Sequence, residues 1–141
     1  MKYILIALSL IAQTVYAQKQ SRPNVIVIIA DDLGRGDVSA YKTGKIQTPN
    51  MDKLANGGVR FTNGYATSST CTPSRFAMLT GTYPWRNERA KILPGDAPML
   101  IDTASTTLAD MFKNQGYNTG VVGKWHLGLG SGNVNWNKDI S

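Results

Sequence analysis

The sequence has 141 residues and a formal net charge of +6, and 42% of its residues are hydrophobic. The basic residues are scattered and form neither a run of like charge nor a stripe interleaved with aromatic residues, which argues against nucleic acid as a partner. A mildly positive surface suits an anionic substrate. The single cysteine, Cys71, excludes a disulfide within the monomer. On composition alone, Cys71 is either a small buried residue or an intermolecular crosslink.

The first 17 residues have the pattern of an export signal. Lys2 supplies the charged start, Ile4 to Ile11 form a short apolar segment, and Val15 to Ala17 offer small residues for cleavage. The apolar segment is too short to span a bilayer, so we expect no stable membrane anchor. The sequence therefore predicts a signal peptide over residues 1–17 and an exported protein, periplasmic or secreted, that begins at residue 18.

Strand and helix patterns alternate along the first half of the exported chain. A continuous β-branched run over Asn24 to Ala30 predicts a strand that is buried on both faces, as in a parallel sheet. Thr48-Pro49 is typical of a helix start, and Gly57-Gly58 ends that helix. Val59 to Thr62 then predicts a short second strand.

The second half continues the alternation. Pro73 is predicted to open a helix that ends near Gly81, and Arg86 to Thr103 reads as an irregular loop. Thr106 or Thr107 is predicted to cap a third helix, which Gly116 closes, and Tyr117 to Val122 predicts the last strand. This order indicates an α/β fold in which helices flank a largely parallel sheet.

Polar residues follow two of the predicted strands directly. Asp31 and Asp32 come after the first strand, and Lys124 and His126 come after the last. Sites in open α/β sheets form beyond the carboxyl ends of the strands, and Cys71 lies at a helix N-terminus, which favours an anion. We therefore predict that these clusters converge. Adjacent carboxylates repel unless a cation such as Ca²⁺ or Mg²⁺ neutralises them, although a solvated turn without metal is the simpler alternative.

Four other residues stand outside these clusters. Asp37 and Asp52 have no motif around them and are interpreted as surface residues. Trp85 and Trp125 could line a substrate pocket, and core packing is an equally good interpretation.

Two motifs give the chain a family resemblance. Cys71-Thr72-Pro73-Ser74-Arg75, followed by an apolar run and Thr80-Gly81, resembles the signature of the sulfatase family. The segment Gly116 to His126, which ends in Gly123-Lys124-Trp125-His126, resembles the second sulfatase motif, and the likeness extends over Pro23 to Gly130. The resemblance implies an alkaline-phosphatase-like fold, of which residues 18–141 form an N-terminal, truncated portion.

The resemblance also implies roles for the candidate residues. A formylglycine-generating maturation enzyme would oxidise Cys71 to formylglycine, an aldehyde that hydrates to a geminal diol. Asp31 and Asp32, which match the family's metal-binding pair, would bind Ca²⁺ (alternatively Mg²⁺) together with residue 71. Arg75 would hold the formylglycine in place. Lys124 and His126 would contact the formylglycine and the sulfate.

The implied reaction is hydrolysis of a sulfate ester on a small molecule or a carbohydrate. One hydroxyl of the diol attacks sulfur and displaces the alcohol; the second hydroxyl then loses its proton, which restores the aldehyde and expels sulfate. Lys124 would add positive charge at the transition state, and His126 would assist the deprotonation. Two alternatives stay open, a phosphonate or phosphodiester hydrolase of the same superfamily and a non-catalytic truncated product.

In this family a later histidine, a later lysine and further metal ligands complete the site. The sequence stops at Ser141, before any of them. We therefore expect residues 18–141 by themselves to be inactive and not to fold as a stable unit.

Overall fold

The computed structural model describes residues 22–41 and 45–129. The chain divides into two compact units, residues 1–32 and residues 33–141. The predicted signal peptide, residues 1–17, lies outside the described residues. Within the described residues, no helix is long and apolar enough to cross a membrane.

The first unit contains the apolar run that the sequence predicts to be a buried strand. The run forms no strand, and its side chains are exposed. Exposure alternates along it, since Ile26 and Ile28 are 82% and 80% exposed whereas Val25 and Ile29 are 49% and 47% exposed. This is the period of two that an extended chain gives to its side chains.

The predicted parallel sheet is not observed in the described part of the chain. The segments 24–30, 59–62 and 117–122 all lack strand structure, and among the described residues Pro98 alone takes part in an isolated bridge. A strand is maintained by hydrogen bonds to a neighbouring strand. A β-branched run can therefore have the sequence pattern of a strand and still form none when no strand lies beside it. The predicted helices, in contrast, are observed.

Three α-helices form among the described residues of the second unit: α1 (Pro49–Gly57), α2 (Cys71–Thr80) and α3 (Leu108–Asn114). All three were predicted. Short 3₁₀ turns, which the sequence did not predict, lie at Arg35–Asp37, Ser39–Tyr41 and Pro84–Arg86.

Helix α1 begins with Pro49 in its first turn, as predicted, and its start is joined to a neighbouring turn. Ser39 Oγ donates to Asp52 Oδ2 (2.7 Å), and Thr48 Oγ1 donates to Asp52 Oδ1 (3.3 Å). Asp52 is therefore half-buried and linked to two hydroxyls, a structural role that its lack of a motif did not suggest.

Helix α2 starts two residues before the predicted opening at Pro73. Proline is tolerated here because the first-turn N–H groups have no partner within the helix. Thr72, Pro73, Phe76 and Ala77 are buried, which is the i, i+4 spacing of one helix face. Gly81 ends the helix at φ +65°, and its N–H donates to Ala77 O.

Helix α3 is capped by Thr107, one of the two residues predicted for this position. Thr107 Oγ1 accepts from Asp110 N, and the Asp110 carboxylate in turn accepts from Thr107 N (2.8 Å). Thr107 Oγ1 also donates to Asp110 Oδ2 (2.7 Å), and this bond, with the one from Thr107 N, holds the pKa of Asp110 below its ordinary value.

The buried core joins α2 to two irregular segments. It comprises Phe76, Ala90, Leu100, Ile101 and Leu127, with Leu79, Leu93 and Trp125 packed against it. The predicted loop over 86–103 is irregular, as expected, yet it contributes three of the five core residues. The core therefore holds α2, the segment 88–101 and the segment 124–129 in one arrangement.

Candidate functional site

Cys71 is the first residue of α2 and is half-buried. Thr70 precedes it in an extended conformation, so the chain turns into the helix at the cysteine itself. First-turn N–H groups and the helix dipole favour negative charge at such a position. The Cys71 side chain is thus placed where an anion is stabilised.

Lys124 approaches Cys71 from a distant part of the sequence. Lys124 Nζ donates to Cys71 Sγ at 3.4 Å, although the two residues are 53 positions apart. The predicted convergence of the Cys71 helix with the last polar cluster is therefore observed within the second unit. A primary ammonium beside the sulfur supplies positive charge where an anionic group would bind.

Arg75 lies one turn after Cys71 on α2. Its guanidinium donates from Nη1 to the Lys124 carbonyl oxygen, so one cation of the site fixes the backbone that carries the other. Because residues i and i+4 share a helix face, Arg75 and Cys71 lie on the same side of α2. Arg75 thus ties the Lys124 segment to the helix.

His126 adopts a left-handed backbone conformation, with φ +55°. Its Nε2 lies 2.8 Å from the Leu93 carbonyl oxygen. A carbonyl only accepts hydrogen bonds, so Nε2 must carry the proton. Nδ1 is buried and has no hydrogen-bond partner in the described part of the chain. A neutral His126 therefore keeps its lone pair on Nδ1.

Thr72 is a residue of this site that the sequence reasoning did not single out. Its side chain is fully buried, and Oγ1 donates to the His126 carbonyl oxygen at 2.9 Å. The same Oγ1 accepts from Leu93 N at 3.4 Å. Its position between Cys71 and Pro73 in the motif is the only sequence signal, and that signal does not specify a contact 54 residues away.

Asp31 and Asp32 belong to the first unit, at the bend after the apolar run. Both side chains are exposed, and Asp32 has φ +55°, a conformation that aspartate tolerates better than most residues. The pair offers carboxylate oxygens, the ligands that Ca²⁺ and Mg²⁺ prefer. Their shared metal site with residue 71 stays a prediction.

The two tryptophans have different environments. Trp125 is half-buried against the core, and its Nε1 donates to the Gly128 carbonyl oxygen at 2.8 Å. Trp85 is 68% exposed and stacks on Tyr83, with ring centroids 4.1 Å apart. The packing interpretation therefore holds for Trp125, while Trp85 presents an aromatic surface.

The chain matches known sulfatases over most of its length. The family model described as Sulfatase matches residues 23–137. An N-acetylgalactosamine-6-O-sulfatase of Bacteroides thetaiotaomicron is 58% identical over 125 residues, which cover 88% of this chain and 24% of that protein. The human steryl-sulfatase is 46% identical over 117 residues, which cover 77% of this chain and 20% of that protein.

A solved structure supports the same relationship. It comes from work on the metabolism of multiple glycosaminoglycans by Bacteroides thetaiotaomicron, and it aligns with a TM-score of 0.77 and 61% identity over 79% of this chain and 23% of that chain. The chain thus spans about a quarter of the length of these relatives. Its described backbone follows that of a sulfatase, and the chain belongs to the sulfatase family.

Proposed function

We propose that the polypeptide containing this chain hydrolyses sulfate esters at Cys71, after oxidation of the cysteine to formylglycine. The observation that supports this most directly is the contact between Lys124 Nζ and Cys71 Sγ at the N-terminus of α2. It unites the two halves of the sulfatase resemblance, and the family match covers both. The sulfur marks the place where an oxygen of the oxidised side chain would lie.

The residues around Cys71 suit a sulfate group. A sulfate monoester carries one negative charge, and more charge develops on the departing oxygen in the transition state. The Lys124 ammonium and the helix N-terminus both place positive potential at this point. Arg75 keeps the Lys124 backbone in register with α2 by donating to its carbonyl oxygen. These residues bind and orient the anion beside residue 71.

His126 supplies the base that the reaction needs. With Nε2–H donated to the Leu93 carbonyl oxygen, Nδ1 is the nitrogen that can accept a proton. Nδ1 has no hydrogen-bond partner among the described residues, so its lone pair remains for a proton of the hydrated formylglycine. We therefore assign proton acceptance to His126 Nδ1.

A divalent cation fits the donor chemistry of the predicted ligands. Asp31 and Asp32 offer only oxygen donors, and the modified residue 71 would offer a third, which suits Ca²⁺ and also accommodates Mg²⁺. When bound, the cation would lower the pKa of the nucleophilic hydroxyl and polarise a sulfate oxygen.

Similarity supports the substrate class, and the N-terminal sequence pattern supports the cellular location. The 58% identity to an N-acetylgalactosamine-6-O-sulfatase favours a sulfated carbohydrate over a steroid or aryl sulfate. The second partner is the formylglycine-generating maturation enzyme. The signal pattern over residues 1–17 implies export, to the periplasm or the medium.

The test uses the complete polypeptide, produced together with an active formylglycine-generating enzyme. We expect release of sulfate from 6-sulfated N-acetylgalactosamine, and a loss of rate on the order of 10²–10³-fold in Lys124→Ala, because one donor to the developing charge is removed. Lys53→Ala, which changes an exposed lysine on α1, is the matched control and should retain full activity.

Two results would contradict the proposal. Sulfate release that is equal in Lys124→Ala and Lys53→Ala would remove Lys124 from the site. Faster turnover of phosphonate or phosphodiester substrates than of sulfate esters would instead assign the chain to that branch of the superfamily.

A further inference from the structure

Thr72 has a buried hydroxyl, which needs hydrogen-bond partners within the protein. Thr72 has no exposed surface, and it is the only buried polar residue among those that the structure describes. A buried hydroxyl destabilises a fold unless it is hydrogen-bonded, so its partners are expected to matter. Both partners belong to backbone groups far away in the sequence.

The hydroxyl links three segments into a closed network. Thr72 Oγ1 donates to the His126 carbonyl oxygen (2.9 Å) and accepts from Leu93 N (3.4 Å). His126 Nε2 closes the network by donating to the Leu93 carbonyl oxygen (2.8 Å). The backbone and the ring of His126 are thus held by the same two residues.

The backbone of His126 needs such support. Its φ of +55° lies in the left-handed region, which non-glycine residues seldom adopt, although histidine does so more often than most, and which the surrounding structure must maintain. The bond from Thr72 fixes the carbonyl of this residue directly. The bond from Leu93 N holds the same residue whose carbonyl oxygen accepts from the ring and so selects its protonated nitrogen.

We propose that Thr72 is a positioning residue, whose buried hydroxyl sets the orientation and the tautomer of His126 relative to Cys71. Thr72 directly follows Cys71 in the chain, so the hydrogen-bond network that holds His126 begins at the residue next to the reacting one. This inference rests on the proposed sulfatase function, in which His126 Nδ1 accepts a proton. The hydrogen-bond network is a property of the fold, and the tautomer that it imposes on His126 can be measured without turnover.

The test compares three variants of the complete polypeptide. Thr72→Val removes the hydroxyl and keeps the shape, and Thr72→Ser restores the hydroxyl. Thr80→Val is the matched control, because Thr80 lies on the same helix and its Oγ1 donates to Phe76 O within α2, away from His126. All three are produced with the formylglycine-generating enzyme.

The first readout is the side-chain ¹⁵N spectrum of His126, recorded with labelled histidine at a pH where imidazole is neutral. The signal that disappears in His126→Gln gives the assignment. We expect the wild type and Thr72→Ser to show a protonated Nε2 and an unprotonated Nδ1. Thr72→Val should show a mixture of tautomers, and Thr80→Val should match the wild type.

The second readout is the rate of sulfate release per converted Cys71. Conversion is measured by mass spectrometry, because Thr72 also lies inside the motif that the maturation enzyme recognises. We expect Thr72→Val to lose on the order of 10–100-fold in kcat, as expected when a catalytic group is displaced by about 1 Å. Thr72→Ser should recover most of this loss.

The outcomes separate the two proposals. An unchanged His126 spectrum in Thr72→Val, or an Nδ1–H tautomer in the wild type, overturns the positioning role. The wild-type measurement keeps the test valid even if Thr72→Val does not fold. A wild type that releases no sulfate overturns the proposed function, while the spectra still decide whether Thr72 sets the tautomer.

Discussion

Replacing Gly128 by alanine tests how tightly the His126 segment is held. Gly128 has φ +81°, and a Cβ at this position would lie 2.2 Å from Pro98 O, 2.6 Å from Pro98 C and 2.9 Å from Ala97 O. These are backbone atoms, and the two segments are joined on both sides of the contact. Leu100 N donates to Leu127 O (2.8 Å), and Leu129 N donates to Ala97 O (3.2 Å).

The expected loss of stability has two parts. An L-residue in the left-handed region costs about 1–2 kcal/mol. Forcing extra volume against backbone that cannot yield adds about 1–3 kcal/mol. The free energy of unfolding should therefore fall by about 2–5 kcal/mol in Gly128→Ala.

Gly81→Ala is the matched control, because Gly81 has φ +65° but no heavy atom within 4 Å of the added Cβ. It carries only the conformational cost, about 1–2 kcal/mol. Urea unfolding of the complete polypeptide measures both variants under the same conditions. If Gly128→Ala were no less stable than Gly81→Ala, the close approach between Gly128 and Pro98 would not exist in solution.

Four further predictions concern the modification, the metal, pH and the isolated segment. Produced with the maturation enzyme, Cys71 should convert to formylglycine, seen by peptide mass spectrometry; finding only thiol beside an active enzyme would count against the proposed function. Asp31→Ala should abolish turnover and leave that conversion intact, whereas normal turnover would remove Asp31 from the metal site. Because hydrogen bonds from Thr107 lower the pKa of Asp110, its stabilisation of α3 should be complete at neutral pH and be lost as the pH falls below 3.8, through its folded-state pKa. Asp110→Asn should abolish this acid dependence, and an unchanged acid profile would refute the capping role. Residues 18–141 alone should release no sulfate and show no sharp two-state melt; activity would refute the first expectation, and such a melt would refute the second.

Helix positions could be predicted because their signals are local. Pro49 fixes φ at the start of α1, Thr107 caps α3 with its own hydroxyl, and Gly81 accepts the left-handed turn that ends α2. Each signal acts within one turn of the chain, so neighbouring residues suffice to read it. The predicted strands are not observed among the described residues, and a strand depends on a partner that its own sequence does not contain.

The candidate site was predicted in identity but not in geometry. The cysteine motif and the Lys124–His126 motif named the residues, and the structure places Lys124 Nζ against Cys71 Sγ. The sequence did not predict that Arg75 donates to the Lys124 carbonyl oxygen. Nor did it predict that the Asp52 carboxylate accepts hydrogen bonds from two hydroxyls at the start of α1.

The amino-acid sequence by itself determined the three helices, the family and the residue types of the site, because these depend on contiguous residues and their intrinsic conformational preferences. Only the tertiary structure decided the role of Thr72, the protonated nitrogen of His126 and the need for glycine at position 128. Each of these depends on contacts between residues 21 to 54 positions apart. Such contacts arise from the packing of α2 against two irregular segments, whose paths no local preference specifies.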